Sequence, residues 1–213
     1  EEIYDAVCNL FYEVGQLHSS IKFSLIDLAI PTLRRLSRNE YETFRALTDQ
    51  VIASDQQVDL FEFALLKVVK RNLDVYFNES PPPRIRYRKF NALTEETGIL
   101  LSTLAALSHP GNELAMASAF DRGSSSITSS YGLAIAFQPA EKCGLEQIER
   151  ALEKFNFAIP TMKRELLIAA SRSVLADEMV SSNEAELIRA IADAIGCPIP
   201  PFVRTAPLMP VAA

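Results

Sequence analysis

Apolar residues recur along this chain at intervals of three and four, the spacing that lines one face of an α-helix. Ile3, Val7, Leu10, Phe11 and Val14 share such a face, so the chain opens on an amphipathic helix. A second helical stretch spans residues 21–36 and contains Pro31, whose ring clashes with the preceding turn and predicts a break or kink. Ser37 and Glu40 form the Ser-x-x-Glu box that satisfies free amides at a helix start. Tyr41, Phe44, Leu47, Val51 and Ile52 give the helix it opens a buried stripe. The strongest periodicity covers residues 60–77. There Phe61, Leu65, Val68, Val69 and Leu73 point at a core, Lys67, Lys70 and Arg71 at solvent, and Pro81, Pro82 and Pro83 end the run.

Further helices are expected over residues 94–107 and, after a break at Pro110 and Gly111, over 113–120. Serine and glycine crowd residues 123–130, which predicts a mobile loop over about 121–142. Within it, Leu133 to Phe137 could be a short strand or an extended segment. Helices follow over 145–155, 161–176 and 182–195, the last stopped by Gly196 and Pro198. Residues 203–213 read as a frayed tail. The expected fold is all-α, a helical bundle in one domain with halves of about 1–80 and 91–202.

One pattern repeats. Asp55-Gln-Gln-Val58-Asp59-Leu-Phe-Glu62 aligns with Asp177-Glu-Met-Val180-Ser181-Ser-Asn-Glu184 at a constant offset of 122, and Leu65 and Leu66 fall on Leu187 and Ile188. Repetition of a whole helix–turn–helix at one offset predicts two related halves. Asp59 and Ser181 are placed as N-caps, with Glu62 and Glu184 closing each capping box. The alternative is a divalent-cation site built from Asp55, Asp59, Glu62, Asp177 and Glu184, since hard cations take oxygen ligands. An EF-hand is excluded, because its loop needs alternate acids and a glycine at the bend.

Composition narrows the function classes. Among 213 residues there are 48% hydrophobic positions, no Trp and only 7 Gly, a helix-favouring mixture with enough apolar content for a core. The formal net charge of −6 argues against nucleic-acid binding. Cys8, Cys143 and Cys197 are far apart and form neither a disulfide framework nor a CxxC knuckle; as reduced thiols they suggest the cytoplasmic side of a membrane. No apolar run approaches the ~20 residues of a spanning helix, so this segment is expected not to insert. Glu1 rather than Met leads the chain, which reads as a piece of a longer or processed protein. The run from Arg84 to Lys89 is basic; it is read as a solvated connector, with contact to phosphate or an acidic partner as the alternative. Phosphate loops, dinucleotide fingerprints and nucleophile elbows are absent from the sequence.

The repeated Asp-x-x-aliphatic-x-x-x-Glu turn between apolar helices resembles the TerB-like helical fold of tellurite-resistance proteins, shared with the N-terminal part of some membrane-anchored DnaJ co-chaperones. The usual form has Gly after the Asp, where this chain has Gln56 and Glu178. A second resemblance rests on the stretches 25–36, 59–65, 187–192 and 197–201. They look like the C-terminal region of large bacterial HtpX-type membrane zinc metallopeptidases. That resemblance implies a parent zinc metalloendopeptidase, membrane-anchored, with zinc held in a separate protease domain. It implies no cofactor here and a non-catalytic accessory domain on the cytoplasmic side of the bacterial inner membrane. Such a domain would bind its own protease domain or another protein. His18 is followed by Ser-Ser-Ile and His109 by Pro-Gly-Asn, so the His-Glu-x-x-His that holds zinc is not in this sequence and no catalytic residue carries over. The alternative function is a TerB-like metal- or stress-responsive binding module using the acids of the repeat.

Overall fold

Apolar-faced helices make up most of the described chain. The computed structural model describes residues 2–17, 19–54, 60–77, 84–174 and 182–199, and among them there is no β-strand. The helices are α1 (Glu2–Gly15), α2 (Ser19–Leu33), α3 (Arg38–Ser54), α4 (Leu60–Tyr76), α5 (Thr94–Ser108), α6 (Glu113–Tyr131), α7 (Leu145–Asn156), α8 (Pro160–Val174) and α9 (Ser182–Ala194). The fold is all-α.

Local chemistry sets the helix ends. At the start of α3 the Ser37 amide donates to the Glu40 carboxylate at 2.7 Å, and the Glu40 amide donates back to the Ser37 hydroxyl. The Ser37 hydroxyl, which also donates to that carboxylate at 2.7 Å, and then the Ser37 amide hold the Glu40 carboxyl below the usual carboxylate range. Asn112 caps α6 by accepting from the Ala115 amide at 3.1 Å. Gly196, with φ +73°, ends α9 in a Schellman arrangement: its amide donates to Asp193 and that of Cys197 to Ala192. Pro31 does not split α2. It lies in the last turn, and the chain then leaves through tight bonds from Arg35 to Thr32 and from Leu36 to Leu33. A proline so near the end costs one helical bond and lets the chain turn.

The offset of 122 extends well beyond the acidic turns. Helix α3 starts at residue 38 and α8 at 160; α4 starts at 60 and α9 at 182. Helix α2 ends at residue 33 and α7 at 156, one position away from the same relation. The three-helix order α2–α3–α4 therefore recurs as α7–α8–α9. Buried positions recur with it: Ile30 and Leu152, Leu65 and Leu187, Val69 and Ile191, Leu73 and Ile195. The two sets meet chiefly along α4 and α9, with α2 also against α9. The α5–α6 hairpin intervenes and packs chiefly on α7 and α8, so the main core lies towards the second set.

Several expectations are corrected. The loop expected over 121–142 is helical as far as Tyr131, with Ser124, Ser126 and Ile127 buried; extended backbone and a short 3₁₀ turn follow it. The small residues are there because α6 crosses α8 closely. A Cβ on Gly123 would lie 2.8 Å from the Ala169 carbonyl oxygen. Leu133 to Phe137 is extended without a strand partner, tied to α5 by a bond from the Gln138 amide to the Ser102 hydroxyl. In α3 only Tyr41 of the expected stripe is fully buried; Phe44 is half-buried and Leu47 exposed, while the side chains of Val51 and Ile52 lie outside the described set. Lys67, Lys70 and Arg71 are half-buried rather than turned to solvent, because each reaches an acid on another helix. The tail at 203–213 lies outside the described residues.

Candidate functional site

Of the five acids in the divalent-cation alternative, Asp55, Asp59 and Asp177 lie outside the described residues. Glu62 sits on an exposed face in the first turn of α4, and Glu184 is half-buried in the first turn of α9. Among the described residues no group of three or more His, Cys, Asp or Glu side chains is placed to hold a metal.

A charged concavity lies between α3, α4, α7 and α9. It is a cleft of about 390 Å³ whose lining includes Arg45, Lys67, Lys70, Arg71, Asp74 and Glu149. Its cations are engaged by acids. Lys67 pairs with Glu149, Lys70 with Asp49 at 2.6 Å and Arg71 with Asp193 at 3.1 Å. Arg45 approaches Asp74 at 3.8 Å, and the buried Tyr41 hydroxyl donates to the same carboxylate. Burial lowers the Lys67 ammonium, helped by repulsion from Lys70. Burial also raises the Asp193 carboxyl, and Arg71 only partly offsets it.

These pairs follow the repeat. Arg71 and Asp193 are 122 positions apart and bond to each other. Lys67 and Arg189 are related by the same offset, and so are their partners Glu149 and Asp27. Lys67 of α4 reaches α7, and Arg189 of α9 reaches α2. The charged seam thus clasps one set of helices to the other twice, in equivalent ways. Sequence reasoning missed it, although applying the offset of 122 to charged positions as well as apolar ones would have found it.

Lys163, the counterpart of Tyr41 at the same offset, is buried at 7% exposure. Burial first, then repulsion from Arg71, holds its ammonium below the ordinary lysine range of 10.5. The folded chain therefore gives up this proton more readily than the unfolded chain. Stability should rise as pH climbs from the lowered value towards 10.5. Lys163→Met, which keeps the length and removes the charge, is expected to stabilise the protein by about 1 kcal/mol at neutral pH and to abolish that alkaline rise. Thermal melts across the pH range check both; a destabilised variant with the rise intact would show that Lys163 has a compensating partner.

The basic run is tethered as well as solvated. The Arg86 and Tyr87 amides donate to the Phe157 carbonyl, the Ile159 amide donates to Tyr87, and the Arg86 guanidinium stacks 4.5 Å from the Phe157 ring centre. The serine cluster is spent on helix carbonyls: Ser124, Ser125 and Ser126 bond to residues 121–123. Such geometry makes the run a tethered connector and the serine-rich stretch part of a helix.

A different surface stands out on α1. Tyr4 is 72% exposed, Val7 57%, Leu10 59% and Phe11 81%, with Val14 also exposed. Asp5, Asn9 and Tyr12, the last 70% exposed, occupy the opposite side of the same helix, and Glu13 flanks the apolar face. The sequence gives α1 a face that seeks burial, yet α1 takes no part in the principal helix–helix packing. Large adjoining apolar side chains left in water mark an interaction surface. Among the described residues no helix is long and apolar enough to cross a membrane.

Comparison with protein-family models, with curated proteins and with solved structures finds no significant match to the chain.

Proposed function

We propose that this chain is a non-catalytic interaction domain whose binding surface is the apolar face of α1. One observation carries the reading: Tyr4, Val7, Leu10 and Phe11 form a stripe of large side chains at helical spacing, each more than half exposed. An aromatic-rich helix face of this kind is the element that docks in helix-in-groove and helix–helix recognition. The rest of the molecule supports a scaffold role, because the charged cleft is closed on itself by ion pairs between its own helices. The resemblance of the stretches 25–36, 59–65, 187–192 and 197–201 extends the proposal. In it the chain is the accessory domain of a membrane zinc metallopeptidase, engaging its own protease domain or another protein from the cytoplasmic side. The zinc would belong to that protease domain.

A photo-crosslinking residue at position 11 of the full-length protein tests this, with position 164, on the exposed side of α8, as control. The expected result is a defined protein adduct from position 11 and none from position 164. Silence at position 11, or the same adducts from both positions, would end the proposal.

A further inference from the structure

We infer that the face of α1 is the seam of a two-stranded parallel coiled coil, and that its occupant is the same helix of a second copy of this chain. The inference rests on reading α1 as an interaction surface and names the partner. Ile3, Val7, Leu10 and Val14 succeed one another at steps of four, three and four, the spacing of alternating d and a positions in a heptad. The residue types then point to the partner: at three of the four seam positions, β-branched Val7 and Val14 at a and Leu10 at d, they follow the distribution that favours two parallel strands, with Ile3 at the first d the exception.

The flanks agree. Tyr4 and Phe11 occupy e positions, Ala6 and Glu13 occupy g, and a parallel pairing sets Ala6 beside Phe11 of the second copy. No acid opposes an acid across that seam. Asp5 and Asn9 fall at f and c, away from it. An anionic lipid surface is the poorer occupant, since residues 2–17 carry three acids and no Lys or Arg. The exposed apolar side chains of α1 offer roughly 600 Å² per copy, taking 150–250 Å² for each aromatic and less for each aliphatic, against ~800 Å² per partner in a standard interface. An area of that size lies at the low end of specific interfaces, so the dimer is a weak, concentration-dependent one.

Sedimentation velocity from micromolar to near-millimolar protein tests it. The chain should shift from monomer to dimer with concentration, and Leu10→Glu should stay monomeric with an unchanged melting curve. A second measurement does not depend on that variant. In a Cys8→Ser background, Leu10→Cys at d should oxidise to a disulfide-linked dimer, whereas Asn9→Cys at c should not. A monomer at every concentration, a dimer that survives Leu10→Glu, or equal crosslinking of the two cysteine variants would overturn the inference. If the protein is monomeric yet position 11 still crosslinks to a protease domain or an unrelated protein, the second copy falls and the interaction surface stands. If position 11 is silent as well, both fall.

Discussion

Replacing Arg189 with alanine is expected to destabilise the protein by about 3–5 kcal/mol, because it strands a buried carboxylate. The Arg189 side chain is 8% exposed. Its guanidinium bonds Asp27 at 2.8 Å and Glu186 at 3.3 Å, and lies 3.9 Å from the Phe23 ring centre. Its two acids are not equivalent. Glu186 is as buried as the arginine, whereas the Asp27 side chain is 48% exposed and can fall back on water. Asp27→Ala should therefore cost no more than about 1 kcal/mol, even though its bond to Arg189 is the shorter. Urea unfolding of the two single variants separates the cases. Equal losses would mean that the Asp27 contact, not the fate of Glu186, sets the energy. A Glu186→Leu, Arg189→Met double variant should recover most of the loss, since well-packed apolar groups replace a buried ion pair at little net cost.

Gly123→Leu is expected to cost about 3 kcal/mol or more by overpacking the crossing of α6 and α8. A Cβ there already meets the Ala169 carbonyl oxygen at 2.8 Å, the Ser173 Cβ at 3.0 Å and a Leu101 methyl at 3.4 Å. The first neighbour is backbone and cannot rotate away, so one helix must move. Gly123→Ala meets the same oxygen but gains up to about 1 kcal/mol of helix propensity, so its net loss should be clearly smaller. Gly15→Ala on α1, where no atom lies within 4 Å of the added carbon, should be neutral or stabilising. Thermal melts of the three variants give the ranking. A tolerated leucine at 123 would show that the helices do not cross as closely as described.

The contrast between these glycines explains much of what the sequence did and did not reveal. The Ser37–Glu40 cap, the Gly196 stop and the buried stripe of α4 were all legible, because each depends on residues within five positions of one another. The constant offset of 122 was legible too, and the starts of α3 and α4 recur at that offset in α8 and α9. The serine- and glycine-rich stretch after Phe120 was misread as a loop. Small residues weaken a helix taken alone, and only the nearness of α8 turns their lack of bulk into a packing requirement. Lys67, Lys70 and Arg71 were misread for a related reason. Their spacing marks the polar side of α4, and nothing local says that α3, α7 and α9 bring acids to that side.

By itself, the amino-acid sequence determined that this protein is helical, where most helices start and stop, and which faces seek burial. Those are properties of neighbouring residues and short-range periodicity. Only the tertiary structure decided which charges pair across the two sets of helices, why α6 is continuous, and that the apolar face of α1 stays uncovered. Burial is a relation between segments far apart in the chain: a stripe records the need for a partner, and only the assembled fold shows whether the chain has met that need internally.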